Sequence, residues 1–285
     1  MLTKPQDLLT GYVEVSSLPI MYSRINEAIN NPRMSMNDIS KVISEDSGLS
    51  ARLLRIVNSA FYGFPTKVET ISRAVTIVGT QQLRALALAT SVMNMFRGIP
   101  QDLVNMESFW KHSVACGLAA RCLATCRGDS NTEQYFTLGV LHDIGRLILY
   151  SKLPDLARQA LVRSRTEGEL LFVVEREVIG FDHGAMGAAL VQGWKLPASF
   201  EEVVAFHNNP GGAKRYPLET AIVHVADIIA HVMRLGTTGE RFVPPLYRKA
   251  WDLIGLPESV LAPTIDQVGI QFSETIHHMF PDSVK

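Results

Sequence analysis

His142 and Asp143 are adjacent side chains of two types that ligate transition metals, and they lie in an otherwise apolar run, Leu138–Arg146. The bulky neighbours predict that this segment packs into a core. A carboxylate in a core is costly unless it is paired, hydrogen-bonded or bound to a metal. The sequence therefore indicates that something compensates Asp143, and a metal ion is one candidate.

Four further residues with metal-binding side chains are spread along the chain, each on a different predicted helix. These residues are His112, His183, His207 and Asp227. Most of them have strongly apolar neighbours, whereas His183 stands among glycine and alanine. Together with the adjacent pair, they form a mixed imidazole and carboxylate set. Such a set suits iron, manganese, zinc or nickel, and a bridging carboxylate suits a two-metal site.

Two plainer interpretations of these residues stay open. A single histidine on a half-apolar helix is commonly a core or surface residue bonded to a carbonyl group. In addition, His224, Asp227 and His231 share one face of a predicted helix through spacings of three and four. That local cluster offers Asp227 a place in a structural hydrogen-bond network without any metal.

The composition bounds the class of protein. A chain of 285 residues with 47% hydrophobic and 19% charged residues indicates a folded protein of one large domain or two smaller ones. The net charge of −1 gives no overall field that would attract nucleic acid. No apolar run approaches the ~18–20 residues of a membrane span, and the N-terminus lacks a secretory pattern. The three cysteines form no disulfide framework, so we expect a cytoplasmic protein without membrane contact.

Apolar residues recur at spacings of three and four nearly throughout, which predicts an all-α protein. Ser35 and Asp38 form a capping-box pattern that opens a helix to about residue 45. Further helices are predicted at about 49–60, 70–78, 80–96, 106–126, 132–152, 154–166, 168–179, 184–194, 197–208, 217–235 and 259–279. In this scheme His142 and Asp143 are neighbours on one helix, about 100° apart in projection, and can straddle one ion.

The helices are expected to form three segments. They are an N-terminal helical subdomain (14–100), a helical core with the candidate metal ligands (101–235) and a C-terminal helical extension (236–285). Gly98 and Pro100 mark the first boundary, and two glycines, Gly236 and Gly239, mark the second. The extension is expected to cap the core or to form a homodimer contact.

Two weaker signals concern other binding partners. The segment Asp38–Ala60 has the shape of a helix-turn-helix, but its apolar residues leave little free face beside Arg52 and Arg55, which disfavours nucleic acid as a partner. A basic helix edge is formed by Arg158, Arg163 and Arg165. We interpret this edge as a solvated face, and the alternative is that it faces a phosphate group.

Several motifs resemble the HDOD (HD-related output domain) proteins, a branch of the HD superfamily of metal-dependent phosphohydrolases. The motifs are Ser50–Gly63, Ile71–Gly79, Phe109–Ser113, Gly139–Gly145, Asp182–Ala188, Trp194–Pro197 and His224–Asp227. The resemblance spans about residues 14–232. The tripeptide at 58–60, Asn-Ser-Ala, together with the His-Asp pair makes it specific.

The resemblance implies an all-α, multi-helix HDOD fold, in which an N-terminal helical subdomain precedes an HD-like helical core. It also implies a bacterial signalling or regulatory role through contacts with signalling proteins. The successive metal-ligand positions of the superfamily fall on His112, His142, Asp143, His183, His207 and Asp227. Such a site would hold one or two divalent ions, or none in those HDOD proteins that have lost ligands. This chain carries nearly the full set of ligand residues.

The competing hypothesis is a metal-dependent phosphohydrolase that acts on a nucleotide or another phosphoester. There a metal would activate water, Asp143 or Asp227 would orient it, and Arg146 would stabilise charge on the phosphate. Relative to the catalytic HD-GYP branch, Arg146 replaces a lysine, Asn208 replaces a second histidine, and the following loop lacks the GYP motif. These departures favour metal binding without cleavage of cyclic dinucleotides.

Overall fold

The computed structural model describes residues 4–9, 18–93, 95–96 and 99–279. Throughout these residues the regular structure is helical and contains no strand, which confirms the predicted all-α class. None of the helices described there is long and apolar enough to cross a bilayer. Some predictions fall partly outside the described residues. They are the start of the N-terminal subdomain at 14–17, residue 94 of the helix at 80–96, residues 97–98 of the first domain boundary, and residues 280–285 of the C-terminal extension.

The chain divides into two compact units. One unit, called here the histidine unit, comprises residues 1–17 and 96–265, and the other comprises residues 18–95 and 266–285. The N-terminal helices therefore share a unit with the end of the chain. The segment boundaries at 14–100, 101–235 and 236–285 stay a prediction, because a division by packing does not show which segments fold independently.

The unit of residues 18–95 and 266–285 begins with a set of short helices. They are α1 (Ile20–Asn30), α2 (Met36–Ser44), α3 (Ser47–Val57), α4 (Ile71–Val78) and α5 (Thr80–Met93). At the start of α2 the Ser35 hydroxyl accepts from the Asp38 amide while the Asp38 carboxylate accepts from the Ser35 amide, so the predicted capping box is confirmed. Helix α2 packs against α1 and α4, and it buries Ile39 and Ile43.

Asn58 fixes the chain that follows α3. Its side-chain amide donates to the carbonyl oxygens of Leu54 and Val68, and its Oδ1 accepts from the Val68 amide. Helix α3 therefore ends at Val57, three residues before the predicted end. It turns Leu53 and its other apolar residues into the core of this unit, which leaves a DNA-reading role disfavoured.

The histidine unit is built on the long helix α6, which lies against α7 and α13, while α11 lies against α8 and α12. Its helices are α6 (Met106–Arg127), α7 (Thr132–Leu141), α8 (Ile144–Lys152), α9 (Pro154–Glu167), α10 (Leu171–Ile179), α11 (His183–Gly193), α12 (Ala198–Phe206), α13 (Pro217–Met233) and α14 (Arg248–Ile254). Helix α15 (Leu261–Met279) begins in this unit and ends in the other. Short 3-10 helices cover Pro5–Leu8, Pro210–Gly212 and Glu258–Val260.

The single helix predicted over 132–152 is wrong, because the structure has two. Helix α7 ends at Leu141 and α8 begins at Ile144, so His142 and Asp143 form the link between them. The backbone of Asp143, with φ −98° and ψ 10°, departs from helical geometry. The pattern missed this break because the link contains neither glycine nor proline. The two side chains are therefore not fixed 100° apart on one helix.

Glycine pairs bring the ligand-bearing helices into backbone contact. Where α6 meets α7, a methyl group on Gly139 would lie 2.7 Å from the amide nitrogen of Gly117. Where α8 meets α11, a methyl group on Gly145 would lie 2.5 Å from the amide nitrogen of Gly187 and would overlap the His183 carbonyl. These close approaches let side chains from four helices reach one point.

Candidate metal centre

Four helices of the histidine unit or their ends, and the link between two further helices, supply the six predicted ligands. His112 comes from α6, His142 and Asp143 from the link between α7 and α8, His183 from the start of α11, His207 from the end of α12, and Asp227 from α13. None of these residues is more than 5% exposed. We call this set the histidine-aspartate centre.

One group of the centre surrounds Asp227. Nε2 of His112 lies 2.9 Å from Oδ1 of Asp227, and Nε2 of His142 lies 3.4 Å from the same oxygen. Nε2 of His142 also lies 3.5 Å from Oδ2 of Asp143. Two imidazoles and two carboxylates therefore face one another over distances that a single ion could span.

A second group surrounds the other oxygen of Asp143. Oδ1 of Asp143 lies 3.0 Å from Nε2 of His183 and 3.4 Å from Nε2 of His207. The two Nε2 atoms lie 3.3 Å apart. Asp143 thus belongs to both groups through its two oxygens, which is the arrangement of a carboxylate that bridges two ions. The structure brings all six predicted residues together.

Three imidazoles of the centre are anchored through Nδ1. Nδ1 of His142 donates to the carbonyl of Gly139 at 2.6 Å, and Nδ1 of His207 donates to the carbonyl of Val204 at 2.9 Å. Nδ1 of His183 lies 2.5 Å from a carboxylate oxygen of Glu175. An Nδ1–H held in this way leaves the Nε2 lone pair facing the centre, which is how ligating histidines are oriented.

Unsatisfied polar atoms mark the middle of the centre. Nε2 of His142 and Oδ1 of Asp143 are shielded from solvent, yet among the described residues neither has a hydrogen-bond partner with good geometry. Buried polar atoms of this kind require an explanation, and an ion is one. The donor set, its orientation and these two atoms together fit a divalent transition metal.

The charges in the centre displace its pKa values in two directions. Burial alone would raise the pKa of Asp143, but Arg146 and His142 hold that pKa well below its usual range. Burial lowers the pKa of His207. Burial and Arg146 also act to lower the pKa of His183, yet Glu175 and Asp143 together raise it to about 9. Ionised carboxylates thus converge where a cation would sit.

Arg146, the predicted phosphate-facing residue, lies inside the protein. It is 3% exposed, its Nε is 3.1 Å from Oδ2 of Asp143, and its Nη1 is 3.6 Å from an oxygen of Glu175. The guanidinium is therefore a buried counter-charge for two carboxylates. In this arrangement it positions Asp143.

Asn208 lies beside the second group. Its Nδ2 is 2.9 Å from Nε2 of His183 and 2.7 Å from Nε2 of His207. The Asn208 side chain thus reaches both imidazoles of the second group. An amide is a weaker metal ligand than an imidazole, so this group offers a second ion fewer strong donors.

Three supporting residues escaped the sequence analysis. Glu175 lies on the buried face of α10 with Leu171, Val174 and Ile179, and this helical spacing to apolar residues was an available signal. The hydroxyl of Thr238 donates to Oδ2 of Asp143 at 2.5 Å, although its loop carries no recognisable motif. Cys116 offers a sulfur within 4.8 Å of ligand atoms in the first group, and burial raises the pKa of its thiol.

In the local cluster predicted around Asp227 on α13, His231 and His224 have different partners. Nε2 of His231 lies 3.4 Å from Oδ1 of Asp227, and the His231 ring centre is 4.5 Å from that of His112. His224 instead donates from Nδ1 to the carbonyl of His207 and accepts at Nε2 from the amide of Tyr247. His231 therefore borders the centre, while His224 fixes the backbone around it.

The fold and the centre define an all-α protein with a candidate divalent-metal site. The sequence model of the HDOD domain family matches residues 15–210, so the chain belongs to the HDOD family. This result confirms the family predicted from the sequence. An uncharacterized protein of Treponema pallidum (strain Nichols) is 27% identical over 197 residues, which cover 69% of this chain and 38% of that protein. The chain thus spans well under half of that relative.

Solved structures share the fold over nearly the whole chain. An HDOD domain protein of unknown function from Geobacter sulfurreducens is 19% identical, with a TM-score of 0.78 and coverage of 97% of this chain and 98% of that one. A candidate phosphohydrolase from Shewanella amazonensis SB2B is 27% identical, with a TM-score of 0.76 and coverage of 95% and 97%. A candidate signal transduction protein from Marinobacter aquaeolei VT8 is 19% identical, with a TM-score of 0.72 and coverage of 98% and 62%.

Proposed function

We propose that the chain is a regulatory HDOD protein that acts through contacts with signalling proteins and holds a divalent ion in its histidine-aspartate centre. The observation that carries the proposal is burial, because no ligand in the centre is more than 5% exposed. Structural metal sites are closed, whereas catalytic sites keep an open position for water or substrate. A closed centre suits an ion that stabilises one arrangement of the helices.

The first group supplies the stronger donor set for one ion. It contains His112, His142, Asp143 and Asp227, and its nitrogen and carboxylate donors suit iron or manganese as well as zinc or nickel. The ion would act as a counter-charge to the two carboxylates. The residues themselves contribute orientation, since the Gly139 carbonyl fixes His142 and the Thr238 hydroxyl fixes Asp143.

The same geometry gives a physical basis for regulation. The ligands come from four helices or their ends and from the link between two others, so an ion that binds the folded state holds these elements together. Any change in metal loading then shifts the balance between packing arrangements of the histidine unit, and a partner that favours one arrangement senses that change.

A phosphohydrolase is the second candidate function, and a specific observation favours it. The six predicted ligands converge, and the Shewanella relative at 27% identity is itself a candidate phosphohydrolase. In that role Asp143 and Asp227 would orient the reacting groups. Arg146 would have to leave its buried pairing to reach a phosphate, which weighs against rapid turnover.

Turnover assays distinguish the two functions. The full chain is loaded with manganese or iron under reducing, oxygen-free conditions and offered cyclic dinucleotides, nucleotides and simple phosphomonoesters. The regulatory proposal predicts no cleavage above that of Asp143→Ala. Rapid cleavage that is lost in Asp143→Ala and kept in the control Asp252→Ala, which alters an exposed aspartate, would place the protein among the enzymes.

Metal-dependent conformation is the positive test. Amide hydrogen exchange is compared between the metal-loaded and the chelated protein. We expect chelation to reduce protection in α6, α13 and the link between α7 and α8, because the ion of the first group joins these elements. Equal protection in both states would contradict a regulatory role for the metal.

A further inference from the structure

We propose that a cleft of about 780 Å³ in the histidine unit binds a small molecule that carries two or more phosphate groups. Three arginines, Arg165, Arg234 and Arg241, line the cleft. Its volume lies in the range of small-molecule and nucleotide sites. The cleft borders the histidine-aspartate centre but contains none of its six proposed ligands, so the inference does not rest on the proposed function.

The three arginines reach the cleft from different parts of the unit. Arg165 comes from α9, Arg234 caps the end of α13, and Arg241 lies in the loop that follows. All three are exposed, and no ion pair is found for any of them within the described part of the chain. By contrast, Arg158 and Arg163 on the same helix as Arg165 each pair with two carboxylates. The basic edge of α9 thus has two neutralised members and one that faces the cleft with its charge free.

The N-terminus of α6 adds to the positive potential. Asn105 lines the cleft and caps this helix of 22 residues, where its side chain accepts from the amide of Ser108. A helix N-terminus carries a partial positive charge and favours phosphate groups. Together with the three arginines, it makes this side of the cleft electropositive.

Two carboxylates also line the cleft, and both are already engaged. Asp102 accepts from Nε of Arg158 at 2.9 Å. Glu240 is buried, and its oxygens accept from the backbone amides of Leu171 at 2.7 Å and of Arg241 at 2.8 Å. These contacts neutralise or fix the negative charges, so the unpaired guanidinium groups dominate the field that a ligand meets.

The chemistry of the lining selects the ligand class. A guanidinium group presents a planar fork of N–H donors that matches phosphate oxygens, and its charge persists at all physiological pH values. Three such groups on separate elements suit a ligand with more than one phosphate group. The remaining volume accommodates an organic portion such as a nucleoside.

The cleft is connected to the centre by two contacts. His231 lines the cleft and lies 3.4 Å from Asp227, and the loop that carries Arg241 also contains Thr238, which bonds Asp143. A ligand that orders this loop therefore acts on residues that hold the centre. Binding in the cleft would give the protein a small-molecule input.

Calorimetric titration of the full chain tests the proposal. The probes are pyrophosphate, adenosine diphosphate and adenosine, and the variants are Arg234→Gln and Arg241→Gln. We expect the two phosphate-bearing probes to bind and adenosine to fail. Each substitution should weaken binding about tenfold or more, because it removes a charged hydrogen-bonding partner. The control Arg248→Gln removes one exposed charge outside the cleft and should leave the affinity unchanged.

Three results would overturn the proposal. The first is equal affinity in the wild type and in both arginine variants. The second is adenosine binding as tight as that of the diphosphate. The third is binding that is lost in Asp143→Ala but kept in the arginine variants, which would place the phosphate at the histidine-aspartate centre. Elemental analysis of the same samples keeps the two proposals apart. A metal-free protein that still binds pyrophosphate through Arg234 and Arg241 would contradict the proposed metal function alone.

Discussion

Glu175 holds His183 by two contacts to one carboxylate oxygen, Oε2. The Nδ1 atom of His183 lies 2.5 Å from that oxygen, and the backbone amide of His183 donates to it at 2.9 Å. The other oxygen of Glu175 faces Arg146 at 3.6 Å. One buried carboxylate outside the ligand set therefore fixes an imidazole of the second group and supports the arginine that pairs with Asp143.

The first prediction concerns this contact. Glu175→Gln should lower metal affinity by about 10–100-fold, because the loss of a carboxylate partner frees the ring and weakens its donor nitrogen. Glu177→Gln, on the same helix but exposed, is the matched control and should bind metal as the wild type does. Competition with a chromophoric chelator measures both affinities. Equal values for the two variants would show that Glu175 does not support a ligand.

Chelation should lower the melting temperature of the wild type. An ion present at 100 times its dissociation constant contributes about 2.7 kcal/mol of stability, which chelation removes. Asp143→Ala should melt below the wild type, because it loses the ion and also leaves the buried Arg146 with one carboxylate fewer. Because this variant holds no ion, chelator should not change its melting temperature. A wild-type melting temperature that chelator does not change would argue that no metal contributes.

Gly145→Ala should unfold more readily and lose metal. Its methyl group would overlap the His183 carbonyl and lie 2.5 Å from the amide of Gly187, so α8 and α11 must separate. Gly193→Ala is the control, because no atom lies within 4 Å of its added methyl group and alanine favours a helix by about 0.5–1 kcal/mol. Denaturant unfolding and metal content are measured on both. A Gly145→Ala protein as stable as Gly193→Ala would contradict this account of the packing.

Asn208→His should strengthen binding of a second ion. The present side chain lies within 2.9 Å of the Nε2 atoms of His183 and His207, so an imidazole there adds a strong donor to the second group. Asn209→His places the same ring on the exposed neighbouring residue and should have no effect. Metal titration gives the number of ions per chain. An unchanged stoichiometry in Asn208→His would indicate that this group does not hold an ion.

Local signals in the sequence predicted most of the helices. The capping box at Ser35 and Asp38 marked α2 correctly, because it depends only on residues within one turn. The link at His142 and Asp143 was missed, since the apolar spacing continues on both sides and the interruption arises from packing in three dimensions.

The centre was predictable where side-chain type carries the signal. Imidazole and carboxylate side chains on separate predicted helices, together with the resemblance to HDOD motifs, identified all six residues that converge. Glu175 and Thr238 were missed because a glutamate on an amphipathic helix and a threonine in a loop are ordinary in sequence. They become informative only when Oε2 of Glu175 is found on His183 and the hydroxyl of Thr238 on Asp143.

Elemental analysis tests the central claim most directly. The full chain is purified gently, without chelator and under reducing conditions, and the metal content of the wild type is compared with that of Asp143→Ala and of the surface control Asp252→Ala. We expect about one to two ions of iron, manganese, zinc or nickel per chain in the wild type and in Asp252→Ala, and none in Asp143→Ala, because Asp143 belongs to both groups. A metal-free wild type, or equal metal in Asp143→Ala, would contradict the histidine-aspartate centre as a metal site.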